Sequence, residues 1–134
     1  MRILLIESDE SISALAIQIL DLTYLSHKNT DSNLLVVATD DLSEAMGLMV
    51  IENLKFELII CAETVFSSFG DNDSGNGLRY MTETGDFSKK VILADSNTKR
   101  IYGIQSLARD TESIKTHLPN FFQKFLMDNI ITIN

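Results

Sequence analysis

The chain has 134 residues, 45% of them apolar and 22% charged, with 19 acidic against 11 basic side chains and a formal net charge of −8. That length suits one domain with a core large enough to need no staple, and the single cysteine rules out an internal disulfide. No apolar stretch approaches the roughly 20 residues that span a bilayer and no signal peptide opens the chain, while the acidic excess repels phosphate backbones and disfavours direct nucleic-acid binding.

The expectation is therefore one cytoplasmic domain over residues 1–134, with no membrane contact and no room for a further output domain. Ile3-Leu4-Leu5-Ile6 opens it as an apolar run without polar alternation, which suits a central strand of a parallel sheet buried on both faces. Leu34-Leu35-Val36-Val37-Ala38, Leu58-Ile59-Ile60-Cys61 and Val91-Ile92-Leu93-Ala94 read the same way. Between the first two runs, Ile12, Leu15, Ala16, Ile19 and Leu20 recur at helical spacing. Leu42, Ala45, Met46, Met49 and Val50 make a second stripe, and Asp41 with Glu44 fits a capping box at its start.

After the third run, Ser67 to Gly77 holds three glycines, two aspartates, two asparagines and three serines, the composition of a loop. A short helix is expected around Leu78 and Met81, ending near Gly85. Ile101, Ile104, Leu107 and Ala108 predict a further helix, and Ser113–Lys115 a weak strand. A last helix carries Leu118, Phe122, Phe125 and Leu126 on one face, with Pro119 in its first turn, where a missing N–H costs nothing. Alternating strands and helices predict an α/β, flavodoxin-like (βα)5 fold, a doubly wound parallel sheet in the order 2-1-3-4-5. Its site should lie at the carboxyl ends of the strands.

In this order of elements the sequence resembles the receiver domain of bacterial two-component response regulators. Arg2 through Glu10 (RILLIESDE) is similar to the family's first strand and acidic turn, and Phe56 to Ala62 to its third strand. Gly77-Leu78 is similar to the pair that opens its third helix, and Lys115 through Phe122 to its lysine-bearing turn into the last helix. The likeness spans nearly the whole chain, and the order and spacing of the motifs carry it more than any one of them.

The resemblance implies a reaction in which an aspartate takes a phosphoryl group from a histidine kinase. That chemistry needs a carboxylate nucleophile and a Mg²⁺ held by neighbouring carboxylates, with a lysine and a hydroxyl to meet the phosphoryl oxygens. Here the nucleophile's position falls on Ala62, the direct metal ligand on Ser8 and the switch hydroxyl on Asp95. Glu7 and Asp9 keep the acidic turn, and Lys115 keeps the lysine's role, but Thr116 replaces the following proline and Glu112 the switch aromatic. What this implies is a degenerate, pseudo-receiver site that is not enzymatic: no catalytic residue, no metal centre, no cofactor, and Mg²⁺ binding weak or absent.

Two other readings of the same pocket stay open. A rearranged acidic site using Glu63, Glu7 or Asp9 would still accept a phosphoryl group, and Glu63 would also serve as a mimic of a phosphorylated aspartate. Alternatively the vacated pocket of a flavodoxin-like domain binds a small ligand, against which stands the lack of a glycine-rich cradle after the first strand. A permanent ion pair of Lys115 with Asp95 or Glu7 would lock one conformation without phosphate.

Asp71 to Gly75 opens like a calcium loop, yet Gly75, Asn76 and Thr82 break the pattern at the three positions that matter most. Cys61 reads as a core thiol, His27 and His117 stand at no metal-ligand spacing, and Ser8 lacks a nucleophile elbow. The expected function is phosphorylation-independent signal transduction or gene regulation through protein–protein contact. In the family the fourth helix, fifth strand and fifth helix form the contact face, which implies here a protein partner or homodimer at Lys99, Arg100, Tyr102, Gln105, Glu112 and Phe121. An enlarged loop at about 64–76 carries Phe66 and Phe69, either of which would anchor a partner if exposed.

Overall fold

A computed structural model describes residues 1–27, 33–64, 89–95 and 104–133, the last five of these as backbone only. Five strands form one parallel sheet: β1 (Arg2–Ile6), β2 (Leu35–Thr39), β3 (Leu58–Ala62), β4 (Lys89–Ala94) and β5 (Ser106–Ala108). Their order is β2-β1-β3-β4-β5, as the alternation of elements predicted. Three described helices accompany them: α1 (Glu10–Leu25), α2 (Leu42–Val50) and α3 (Thr111–Ile133).

Period-two alternation in the strands divides the core into two layers. Ile3, Leu5, Leu58, Ile60, Val91, Leu93 and Leu107 face one side, where α1 contributes Ile12, Ala16, Leu20 and Tyr24 and α3 contributes Ile114, Leu118, Phe122, Phe125 and Leu126. The Phe122 and Phe125 rings stack there with centroids 6.0 Å apart, a contact worth about 1 kcal/mol beyond the area it buries. Leu4, Ile6, Ile59, Cys61 and Ile92 face the other side, against Leu42 and Ala45 of α2 and Phe56. β1 and β3 are apolar runs because both of their faces are covered. β2 has the same composition but lies at the sheet edge, and its Leu35 is 53% exposed.

Side-chain caps set the helix starts. Asp9 Oδ1 accepts the Ser11 and Ile12 amides at 2.9 and 3.2 Å, and Asp41 Oδ1 accepts that of Ser43 at 3.0 Å, satisfying donors that the first turn leaves open. Val50 ends α2 in solvent, 61% exposed, and so falls off the expected stripe.

The C-terminal quarter departs from the sequence expectation. Residues 106–108 form β5 where a helix over Ile101–Ala108 was expected, and Ser113–Lys115 lie within α3 where a strand was expected. Leu107 pairs with Leu93 in the sheet, so its burial comes from the ladder and not from a helical stripe. Asp110 Oδ1 then accepts the Ser113 amide at 2.8 Å, and Ser113 Oγ returns a bond to Asp110 Oδ2 at 2.8 Å. That cap starts α3 early and leaves Pro119 in the helix interior, not in its first turn. The expected helix near Leu78 and the loop inserted after β3 lie outside the described residues.

Candidate functional site

The carboxyl ends of β1 and β4 meet the guanidinium of Arg109, the residue that follows β5, with the end of β3 lying between them. The Glu7 amide continues the β1–β2 ladder by donating to Thr39 O at 3.0 Å, which fixes Glu7 at the end of a central strand with its side chain 0% exposed. The Arg109 amide donates to Ala94 O at 2.8 Å, holding Arg109 directly after β5. From there Arg109 Nε donates to Glu7 Oε1 at 2.7 Å and Nη2 donates to Glu7 Oε2, the two-pronged geometry that makes arginine–carboxylate pairs strong. Arg109 Nη1 reaches Asp95 Oδ1 at 2.9 Å and Nη2 reaches Ser8 Oγ at 3.4 Å. Thr64 Oγ1 donates to Asp95 Oδ2. The Asp95 amide donates to Glu63 Oε1 at 3.0 Å.

The electrostatics follow from that geometry. Hydrogen bonds to Glu7 raise the Arg109 pKa further above its ordinary value, against the opposing effect of partial burial. Burial pulls Asp95 upward, but the Thr64 hydroxyl and the Arg109 guanidinium outweigh it and hold its carboxyl below the usual range. Cys61 goes the other way: burial, helped by the nearby Glu7 carboxylate, pushes its thiol up to about 12. A thiol so protonated is a poor nucleophile, and Cys61 Sγ spends its proton on Ala62 O at 3.4 Å.

Of the residues singled out by sequence, Glu7, Ser8 and Asp95 meet at this cluster, and Ala62 closes β3 beside them with no exposed surface. Glu63, just past the strand, uses a carboxylate oxygen on the Asp95 amide. Asp9 is the α1 cap and donates its own amide to Glu7 Oε2 at 2.9 Å. Lys115 does not join them; it lies on the exposed side of α3. The cation at the site is Arg109, which sequence reading passed over. Its signal was an arginine directly after a short apolar run and before an aspartate cap, at the position where a fifth strand hands over to a helix.

Mg²⁺ needs several free oxygen ligands in near-octahedral array. Both Glu7 oxygens face the guanidinium and Asp9 Oδ1 holds two helix amides, while Ala62 offers a methyl group. This donor set does not fit the ion, and among the described residues no cluster of three or more His, Cys, Asp or Glu has metal-site geometry. Of the residues expected at a contact face, Gln105 and Glu112 are exposed and Phe121 is half-buried against the core. Lys99, Arg100 and Tyr102 lie outside the described residues, as do Phe66 and Phe69.

No family model and no curated protein matches the chain. Three solved structures do. The Mn²⁺-bound form of the response regulator Rcp1 superposes with a TM-score of 0.60 at 18% identity, over 92% of this chain and 89% of that one. The N-terminal domain of a response regulator/sensory box/GGDEF protein from Carboxydothermus hydrogenoformans gives 0.54 at 14%, over 97% and 99%. The chain has the receiver fold. At such identities the likeness extends to the fold alone, and a fragment assigned as a lipoprotein from Peptoclostridium difficile 630 shares it too, with a TM-score of 0.57 at 16% identity over 90% and 93% of the two chains. Function on the receiver fold therefore has to be argued from the site. No described helix is long and apolar enough to cross a membrane.

Proposed function

We propose that this chain is a pseudo-receiver: a cytoplasmic module of bacterial signal transduction or gene regulation that works by protein–protein contact and takes up no phosphoryl group. One observation carries the reading: Arg109 joins Glu7 to Asp95 across the strand ends at which Ala62 supplies no nucleophile. In a phosphorylating receiver extra negative charge arrives at this place with the phosphoryl group and leaves with it. Here the Asp95 carboxylate is an anion without any phosphoryl group and Arg109 its cation, an arrangement anchored by the buried Glu7–Arg109 pair more than by the exposed Asp95 bond. The lock expected from Lys115 with Asp95 or Glu7 does not form; Arg109 takes both carboxylates instead. The response-regulator neighbours agree with a signalling role.

Contact with a protein partner or a second copy of the chain would use the face that includes Gln105 and Phe121, with no direct nucleic-acid binding and no bound cofactor. The test is incubation with acetyl phosphate and Mg²⁺ followed by intact mass measurement. An unchanged mass is expected. An adduct of one phosphoryl group would refute the proposal and move the role of acceptor to Glu63, Glu7 or Asp9.

A further inference from the structure

The edge strand β5 and the middle of α3 enclose a cleft of about 300 Å³. Its apolar floor is Leu107, Phe121 and Phe125, and Lys89, His117 and Lys124 stand around it. Asp128 is the one carboxylate among its lining residues. That balance inverts the sign of a chain with 19 acidic and 11 basic residues. A second cleft, at the opposite sheet edge between α1 and β2, is lined by Glu7, Glu10, Asp40 and Glu44 and by no basic residue.

From this contrast we propose that the β5–α3 cleft docks an acidic segment of a partner protein that carries apolar anchor residues. The proposal deepens the contact-module reading and rests on it. A segment bearing glutamates or aspartates is repelled by most of this surface and by the α1–β2 cleft, and it is attracted where Lys89 and Lys124 concentrate positive charge. Complementary charge of this kind directs encounter and register. Affinity then comes from apolar side chains that displace water over the half-buried Phe121, beneath which Leu107 and Phe125 are each only 5% exposed. A short segment fits the charge distribution better than a nucleic acid does. A polyanion's long backbone would extend beyond the cleft onto a surface of its own sign.

The test is fluorescence anisotropy of the full chain with a labelled peptide of glutamates interspersed with leucine and phenylalanine. Saturable binding that weakens with salt is expected, reduced about tenfold or more in the Lys89→Glu/Lys124→Glu double variant and also reduced in Phe121→Ala. A peptide with lysine in place of glutamate, and single-stranded DNA, should not bind. Backbone amide shifts in the unmodified protein on peptide addition should centre on Leu107, Asn120 and Phe121, a readout that needs no variant to fold. Absence of saturable binding, indifference to charge reversal, equal binding of the lysine peptide or DNA, or shifts centred elsewhere would each overturn the proposal. A phosphoryl adduct in the acetyl phosphate experiment would sink the reading of the Arg109 site without altering this titration.

Discussion

Replacing Arg109 with methionine keeps most of the aliphatic stem and removes the guanidinium, which isolates the charge effect from packing. Glu7 would then hold a side chain with no exposed surface and lose its bidentate partner, retaining the Asp9 amide at 2.9 Å. Removing one member of a buried pair costs about 3–5 kcal/mol. Arg109 itself is 16% exposed, and the bond to Asp95 counts for little because that carboxylate is 43% exposed. The retained amide and this partial solvation bring the expected loss to about 2–3 kcal/mol. For a chain of 134 residues that is a fall in Tm of ~7–11 °C. Urea unfolding of Arg109→Met, Glu7→Gln and the double variant measures it. If an isolated buried charge is the cause, the double variant is more stable than Arg109→Met alone, because the neutral amide has less to lose. A single variant within about 0.5 kcal/mol of the parent, or a double variant no better than the single, would refute the reasoning.

Other outcomes follow from the same geometry. Asp9→Ala should lose about 1 kcal/mol of stability by uncapping α1 while Asp9→Ser keeps most of it, as read by denaturant melts; equal losses would mean that Asp9 is not acting as a cap. Lys115→Ala should leave stability within about 0.5 kcal/mol of the parent, and a drop of the size expected for Arg109→Met would restore Lys115 to the site. Because the folded protein holds Asp95 below its ordinary value of 3.8, its stabilising contribution is fully present above that value and is lost as pH falls through the folded one. Acid unfolding should therefore be slightly shallower in Asp95→Asn, by no more than an exposed pair contributes, and a steeper acid profile in that variant would argue against the ion pair.

The sheet was legible from sequence because central parallel strands are covered on both faces and show themselves as unbroken apolar runs, as at Ile3–Ile6 and Leu58–Cys61. The edge was harder. β2 has the same apolar composition with little of the burial, and β5 is only three residues long, too short to display a period. Leu107 then stood at helical spacing from Ile104 and Ile101 and suggested the wrong element. That error shifted the last helix and with it the site's cation. Lys115 matched a family motif locally, whereas Arg109 is identified only by partners 102 and 14 residues away. Hydrogen bonds at that separation leave no periodic trace. Glu7, Ser8, Ala62 and Asp95 were found because strand ends, once the strands are placed, can be counted.

The pairing of α1 with α3 has a consequence for how the chain is made. Ile12, Ala16, Leu20 and Tyr24 leave the ribosome well before the helix that covers them with Ile114, Leu118 and Phe122. β1 likewise waits for β3 before both its edges are paired. Until α3 is made the nascent chain therefore carries an uncovered apolar layer, the condition under which intermediates aggregate or engage chaperones. Folding of this domain should therefore behave as one event that waits for α3, and a chain interrupted before Leu118 should be a clearance substrate, not a smaller folded domain.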